Sequence, residues 1–387
     1  MYTRILLQAA ALTITTATAY AAPVYNLIDL GTLGGYHSAA YAINNVGQVA
    51  GMAYTADNQA HAFLYSNGVM KDLGTISAGR GSSAYGINDT GQVVGSSNIG
   101  GIPPQYAGQN YSFIYSNGVM NGIDQNLNKI AIDRESSASD INNYGQIVGS
   151  YTAQQRSDCL YTCLTTHAFL YSAGSLIDVG NYIGGAASTA RGINDLGQIT
   201  GSYRLLNGNQ PGNFHAFIFS ANSTIDLGTL GGRDSGATAI NNAGQVVGTS
   251  YTTAGKQHAF LYSTGTMIDL GTLGGDASAA YGINNLGQVV GLSNSTPFGL
   301  GLPFLYSNGT MINLNSLIDP TSQWVIHEVN AINDAGDIAA YGCSTVIGEC
   351  HALLLDYANT TTTSVPEPAC FTLVSLGLAS FYRRRRH

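Results

Sequence analysis

The sequence predicts an all-β protein, a seven-bladed β-propeller of four-stranded antiparallel blades in which the N-terminal strand pairs with the last repeat. Three observations predict it. A motif of the form Ile-Asn-x-x-Gly recurs seven times. Each copy belongs to a unit with four short strand-like segments. The chain also begins with the last part of a unit and ends without that part.

The repeat is the first of these observations. Successive Ile-Asn pairs are 43 to 54 residues apart, a period typical of repeat architectures such as propellers. The isoleucines of the seven copies are Ile43, Ile87, Ile141, Ile193, Ile240, Ile283 and Ile332.

The four strand-like segments of a unit follow in a fixed order. Ser83–Asn88 is an example of the first and Gln92–Ser96 of the second, and an Asn/Asp-rich turn ending in Gly separates them. The third has the form His-Ala-Phe-Leu-Tyr, as at His61, and the fourth resembles Met70–Gly74. Asn-Gly pairs such as Asn67-Gly68 join the third segment to the fourth, which predicts antiparallel hairpins and argues against a parallel β-helix.

The two ends of the repeat region predict how it closes. Residues 24–31 look like a fourth strand with no earlier strands before it, and residues 329–355 hold three strands with no fourth. Joining them would complete a seventh blade and cover the exposed strand edges. An open array of stacked sheets is the structural alternative.

Length variation points to one face of the ring. The distance from Ile-Asn to the third strand ranges from 18 to 26 residues, so insertions concentrate between the second and third strands. Insertions on one face mark the usual binding face of a repeat protein. Non-repeated aromatic and basic residues there are the ligand-binding candidates, although each could simply fill a loop. They are Tyr106, Arg156, Tyr161, Arg204, Arg233 and Trp324.

Both termini have the composition of processing segments. Residues 1–21 combine Arg4, a short apolar run and a small-residue site, which predicts a secretory signal peptide rather than a membrane helix. Residues 22–358 form the repeat domain, and residues 359–364 form a Thr-rich linker. In residues 365–387 a Pro-Glu-Pro motif precedes an apolar run and an arginine cluster. These residues are Pro366, Glu367, Pro368, Arg383, Arg384, Arg385 and Arg386.

Two resemblances follow from these motifs. The tail resembles the PEP-CTERM sorting signal, which implies processing by an exosortase and delivery to the cell surface or extracellular matrix of a Gram-negative bacterium. A C-terminal anchor helix is the alternative, although 14 apolar residues are short for one. The repeat resembles the HAF family of extracellular repeats, which implies no defined activity. Tyr111 and Leu302 depart from its His, and Asp337 departs from its Gln.

Charge and composition limit the classes of molecule that the protein is expected to bind. The net charge is −8 and only 9% of residues are charged, so a phosphate backbone is a disfavoured partner. Five of the 14 basic residues are Arg4 and the arginines of the tail, so removal of both ends would leave a more acidic protein. The 49 glycines and the many Ser, Thr and Asn residues suit a turn-rich β protein with surfaces for neutral sugars.

Four cysteines precede the tail and form two local pairs, Cys159 with Cys163 and Cys343 with Cys350. An even number in an exported chain predicts disulfides. A metal site and free thiols are the alternatives; no His stands at ligand spacing beside the first pair.

Repeated His and Asp residues are interpreted as structural, because a residue present in most units serves a need common to them. Histidines recur at the start of the third strand, and Asp29, Asp72, Asp124, Asp178, Asp226 and Asp269 recur on the fourth. No nucleophile, phosphate-loop or zinc-protease motif is present. We therefore assign no catalytic residue and expect neither a cofactor nor a metal.

Three functions remain open at this stage. The favoured one is a secreted, non-enzymatic module that binds or organises extracellular matrix polymer, in the first place a polysaccharide, or a matrix protein. The second is a glycan-cleaving lyase or hydrolase, which would need acids or a His-Tyr pair converging in one pocket. The third is a structural spacer without a ligand. The fold alone does not decide among them.

Overall fold

The computed structural model describes residues 25–99, 109–123, 135–154, 164–184, 187–207, 210–297 and 299–358. Within these ranges it is an all-β structure of 28 strands, with one four-residue helix, α1 (Gly180–Ile183), and a 3-10 turn at Leu314–Ser316. The expected all-β class is thus confirmed. No helix in the described ranges is long and apolar enough to cross a membrane.

One sheet has eight strands and contains both ends of the repeat region. Its path runs β26-β27-β28-β2-β3-β4-β5, and β1 pairs with β28. The strands are β1 (Tyr25–Asp29), β2 (Gly34–Ile43), β3 (Val49–Thr55), β4 (Ala60–Ser66), β5 (Val69–Asp72), β26 (Trp324–Ile332), β27 (Ile338–Ser344) and β28 (Cys350–Tyr357).

Five further sheets each contain four consecutive antiparallel strands. The first two comprise β6 (Ser82–Ile87), β7 (Val93–Asn98), β8 (Asn110–Ser116) and β9 (Val119–Gly122), then β10 (Ser136–Ile141), β11 (Ile147–Gln154), β12 (Leu164–Ser172) and β13 (Ser175–Asp178). The next two comprise β14 (Ser188–Ile193), β15 (Ile199–Asn207), β16 (Gln210–Ser220) and β17 (Ser223–Asp226), then β18 (Gly231–Ile240), β19 (Val246–Thr252), β20 (Gln257–Ser263) and β21 (Thr266–Asp269). The last comprises β22 (Ser278–Ile283), β23 (Val289–Asn294), β24 (Gly301–Ser307) and β25 (Thr310–Asn313).

The predicted hairpins between third and fourth strands are present. Asn67 and Gly68 both have positive φ, at 52° and 80°, as a tight type I′ connection requires. Ala221 and Asn222 adopt the same conformation without a glycine, at 49° and 61°. The third and fourth strands of every four-stranded sheet are therefore antiparallel neighbours.

The N-terminal strand pairs with the last repeat. Tyr25 to Asp29 of β1 lie opposite Tyr357 to Leu353 of β28 in an antiparallel register. A parallel bridge between His37 and Cys350 connects β28 to β2, which is why the two four-strand groups merge into one sheet.

The core lies between neighbouring sheets and repeats with the sequence. The aromatic residue of each His-Ala-Phe segment is fully buried, as at Phe63 and Phe260, and Leu353 takes its place in the last repeat. A glycine lies against it on the second strand. A Cβ at Gly51 would meet the Ala39 carbonyl and the Phe63 ring, so only glycine permits this approach.

One of the two predicted disulfides lies in the described residues. Cys343 and Cys350 are joined across the β27–β28 hairpin. Cys159, Cys163, the signal segment, the linker and the tail all lie outside the described residues, so those interpretations stay predictions.

Candidate functional site: a cavity lined by seven β-bulges

The first strand of every repeat carries a β-bulge at the same place. In β2 the register shifts between Ala40 and Ala42, so Tyr41 has no partner on β3. Corresponding shifts occur in β6, β10, β14, β18, β22 and β26. A bulge re-aims a side chain, and bulges are common beside functional sites.

The seven bulged residues line a single cavity of about 520 Å³. Unlike their neighbours in the strand, they differ from repeat to repeat. This bulge ring consists of Tyr41, Tyr85, Ser139, Arg191, Thr238, Tyr281 and Asn330.

Two members of the bulge ring have structural partners. Asn330 donates its side-chain amide to the Ala40 carbonyl at 2.9 Å, and the Thr238 hydroxyl donates to the Ala280 carbonyl at 2.8 Å. Both acceptors belong to the first strand of the next repeat around the cavity. These two residues therefore link consecutive repeats, whereas the three tyrosines and Arg191 offer polar groups to the cavity.

A row of aromatic side chains adjoins the bulge ring. Tyr36 stacks on Tyr54 with ring centroids 5.0 Å apart, and His37 stacks on Tyr341 at 5.2 Å. His37 also contacts Tyr54 at 5.9 Å, and His327 lies 6.4 Å from Tyr341. Tyr36 is 58% exposed, so this aromatic row presents a flat apolar surface to solvent.

Burial and, after it, the carboxylate of Glu328 act on the pKa values of three tyrosines at or beside the cavity. Burial, followed by Tyr85 and Glu328, raises the pKa of Tyr41 to about 12. Burial and Glu328 also raise the pKa of Tyr281 and of Tyr341. All three hydroxyls are therefore protonated at neutral pH and can donate hydrogen bonds.

A ring of asparagines closes one end of the same strands. Each Asn of the Ile-Asn pair accepts hydrogen bonds within its own turn, as from Gln48 N to Asn44 Oδ1 at 2.8 Å. Each also donates its amide to the backbone carbonyl of the next repeat's Asn, at 2.9 to 3.1 Å. This asparagine ring consists of Asn44, Asn88, Asn142, Asn194, Asn241, Asn284 and Asn333.

The residue after each ring asparagine forms a second, solvent-exposed ring. The amide of Asn45 donates to Asp89 Oδ1 at 2.8 Å, and the amide of Asp334 donates to Asn45 Oδ1 at 3.0 Å. Asp337 replaces the usual Gln in the last turn, yet Asp337 Oδ2 still accepts from the Asn333 amide at 3.0 Å. The departure from the motif therefore keeps the hydrogen bond to the ring asparagine.

Asp140 interrupts this regularity. The residue before Ile-Asn is Ala or Gly in every other repeat. The Asp140 carboxylate accepts from the backbone amides of Ile141 at 2.8 Å and Ile193 at 2.9 Å. Burial nevertheless raises its pKa to about 7.

The repeated His and Asp residues pair with each other at the outer strands. Nδ1 of each histidine lies 2.8 to 3.0 Å from a carboxylate oxygen. In four of the five pairs the aspartate also accepts from the glycine amide two residues on, as from Gly74 N to Asp72 at 2.7 Å. The pairs are His61–Asp72, His167–Asp178, His215–Asp226, His258–Asp269 and His351–Asp29.

The two exceptions show that each pair is present or absent as a unit. Where Leu302 replaces the histidine, Asn313 occupies the aspartate position. Where Tyr111 replaces it, Gly122 occupies that position opposite Phe113. The assignment of Asp124 to this series is therefore wrong; it stands two residues past the register position and outside the described residues.

The binding candidates from the sequence are not gathered by the described structure. The Arg204 guanidinium lies 4.7 Å from the Phe214 ring, and Arg233 lies 2.6 Å from Asp234. Trp324 lies 5.6 Å from His351. These three occupy different strands, β15, β18 and β26. Tyr106, Arg156 and Tyr161 lie outside the described residues. Binding by these six stays a prediction.

The sequence carries a signal for the bulge ring that length variation does not show. Two residues before each Ile-Asn pair, after an alanine in six repeats and Val329 in the seventh, one position holds Tyr, Tyr, Ser, Arg, Thr, Tyr and Asn in turn. A variable position inside a constant strand indicates a side chain freed from the packing of the repeat. Across the described ranges, no group of three His, Cys, Asp or Glu residues could hold a metal.

Comparisons with known proteins bear on the fold alone. No family model and no curated protein matches the chain. Among solved structures, it is similar to the β-propeller domain of the Trilobed protease from Pyrococcus furiosus, with a TM-score of 0.51 and 11% identity over 72% of this chain and 81% of that one.

Two further structures show weaker similarity. A puromycin-hydrolyzing peptidase from Mycobacterium tuberculosis gives a TM-score of 0.47 at 9% identity, covering 86% of this chain and 56% of that one. TolB from Acinetobacter baumannii gives a TM-score of 0.40 at 12% identity, covering 80% and 76%. The similarity to the β-propeller domain agrees with a β-propeller fold.

Proposed function

We propose that the chain is a closed seven-bladed propeller that is exported and binds extracellular matrix polymer, in the first place a polysaccharide, through its central cavity. Six blades are consecutive strand groups, from β2–β5 to β22–β25, and the seventh joins β26–β28 to β1. The asparagine ring supports this closure, because its seventh hydrogen bond runs from the last repeat to the first.

The observation that carries the binding proposal is the bulge ring. Seven different strands each direct one non-repeated side chain into one cavity, and their hydroxyl, amide and guanidinium groups suit a polyhydroxylated ligand. The aromatic row beside it offers the flat apolar faces on which sugar rings stack.

Export and processing rest on the sequence. The signal segment, the Pro-Glu-Pro tail and an exosortase partner remain our proposal, with delivery to the surface or matrix of a Gram-negative bacterium and only transient membrane contact through the tail. The Cys343–Cys350 disulfide is consistent with an oxidising compartment.

The test measures binding and product together. Full-length protein is mixed with exopolymer purified from the producing cells, and pelleted protein and released reducing or unsaturated ends are both measured. We expect co-sedimentation without product. Product formation would favour the glycan-cleaving enzyme, and absence of both signals would favour the spacer.

A matched pair of variants locates the binding surface. Tyr85→Ala removes a cavity tyrosine that is 39% exposed, whereas Tyr144→Ala removes a tyrosine that is 77% exposed on an asparagine-ring turn. We expect Tyr85→Ala to weaken co-sedimentation by about tenfold, the loss of one stacked aromatic ring, and Tyr144→Ala to leave it unchanged. Equal effects would contradict the assignment to the cavity.

A further inference from the structure

Glu328 is the one charged residue at its position among the first strands of the seven repeats. It lies opposite Tyr341 on β27, two residues before the bulged Asn330. The register places small residues at this level in the other six first strands: Ala39, Ser83, Ser137, Thr189, Gly236 and Ala279. One carboxylate therefore stands at a position that small residues occupy in the other repeats.

Three tyrosines lie on the strands next to this carboxylate. β26 packs between β22 and β2, which carry Tyr281 and Tyr41, and Tyr341 lies on the paired strand β27. Glu328 acts electrostatically on each of these three hydroxyls. A carboxylate among aromatic rings is an arrangement that suits an organic cation, because the ring faces and the carboxylate both attract positive charge.

Among the described residues no lysine or arginine is paired with Glu328, and the adjacent His327 lies beside Tyr341. Within the described ranges, the Glu328 side chain makes no ion pair and no hydrogen bond, and it is exposed. His37, stacked on Tyr341, has a pKa lowered by burial and by His351, so it is neutral at neutral pH. Arg191 belongs to β14, on a different part of the cavity wall.

We infer that Glu328, with Tyr41, Tyr281 and Tyr341, binds the ammonium group of an amine-bearing sugar unit. The inference rests on the proposed function and names the class of polysaccharide: one with free amino groups. The carboxylate accepts a charge-assisted hydrogen bond from the ammonium, and the tyrosines supply ring faces and hydroxyl donors to the sugar.

Arg191 defines the competing ligand. A guanidinium in the cavity would favour a uronate, whose carboxylate it could hold. We favour the amine because the three tyrosines cluster around Glu328. A uronic-acid oligomer is therefore included in the test.

The experiment compares oligosaccharides that differ in charge. Full-length protein is titrated calorimetrically with hexamers of glucosamine, N-acetylglucosamine and galacturonic acid, using wild type, Glu328→Gln and the control Asp57→Asn, which alters an exposed carboxylate on the turn between β3 and β4 that does not line the cavity. We expect wild type and the control to bind the glucosamine hexamer at least tenfold more tightly than its N-acetylated form. We expect Glu328→Gln to lose that preference, since a charge-assisted hydrogen bond contributes about tenfold or more.

Three outcomes would overturn the inference: preferential binding of the uronate, equal binding of both hexosamine oligomers, or a Glu328→Gln variant that keeps the preference. Co-sedimentation with the native exopolymer, run in parallel, separates the two proposals. If the protein binds exopolymer but shows no preference for the amine, only the inference is wrong. If exopolymer binding is absent as well, the proposed function is also wrong. Thermal unfolding of Glu328→Gln confirms that the variant is folded.

Discussion

Asn333 donates its side-chain amide to the backbone carbonyl of Asn44 at 3.1 Å, joining residues 289 positions apart in the chain. The same contact links every other pair of consecutive repeats, as between Asn142 and Asn194 at 3.0 Å. Its consequences can be measured, and so can those of three other features.

The asparagine ring predicts equal effects at its internal and its closing contact. Asn142→Ala and Asn333→Ala each remove a buried amide that serves its own turn and the next repeat. We expect each to lower the free energy of unfolding by about 2 kcal/mol, since buried partners are left unsatisfied. Denaturant unfolding measures both. A markedly smaller loss for Asn333→Ala than for Asn142→Ala would show that the ring is open in solution.

Asp140 predicts a pH-dependent stability. Its pKa is raised from 3.8 in the unfolded reference to about 7, so between these values the folded protein binds more protons than the unfolded chain. The free energy of unfolding must then fall as pH rises from about 4 to 7.

Asp140→Ala should remove this slope, because alanine occupies the equivalent position in other repeats. Between pH 4 and pH 8, the free energy of unfolding of the variant should rise relative to that of wild type by on the order of 3 kcal/mol. Urea unfolding at several pH values tests it. Parallel stability curves for the two proteins would contradict the assignment.

The Tyr25 hydroxyl can be removed, we expect, without loss of stability. Its ring is buried at 1% exposure where β1 meets the last repeat, yet its hydroxyl is buried without a hydrogen-bond partner among the described residues. Tyr25→Phe should therefore preserve or slightly raise the melting temperature, because an unsatisfied polar group is removed.

Tyr25→Ala is the matched comparison for that substitution. It should lower the free energy of unfolding by about 3 kcal/mol through loss of the buried ring. Calorimetric melting of both variants measures the contrast, and a destabilised Tyr25→Phe would reveal a hydrogen bond to the hydroxyl.

The Cys343–Cys350 disulfide closes a short loop and predicts a modest effect. A sequence separation of 7 residues corresponds to about 2 kcal/mol of stabilisation through the unfolded state. Replacing both cysteines by serine, or adding reductant, should lower the melting temperature by a few degrees. Reductant should have no further effect on the double variant unless Cys159 and Cys163 also form a bridge.

The strand order, the hairpins and the pairing of β1 with β28 could be predicted because each depends on local turn chemistry or on matching the two ends of the repeat. Asn-Gly at residues 67–68 specifies its hairpin without any distant contact. The burial of the Phe63 position likewise follows from its repetition.

Features that depend on neighbours in space could not be predicted. Asn44 is recognisable as a turn residue, but its amide bonds to Asn88 only once two sheets are adjacent. The bulge at Tyr41 depends on register with β3, which the sequence of β2 does not contain. The misplacement of Asp124 has the same origin, because hairpin register decides that Gly122 faces Phe113.

The bulges allow the side chains that line the cavity to vary independently of the strands that carry them. Because each bulged residue lies outside the strand ladder and most of the packing, an exchange of Ser139 or Arg191 for another side chain leaves the hydrogen bonding of β10 or β14 intact. Ligand preference in such a scaffold can be re-engineered by point substitutions at the five bulged sites other than Thr238 and Asn330, without grafting loops, and a library built at those sites would explore recognition while the frame stays constant.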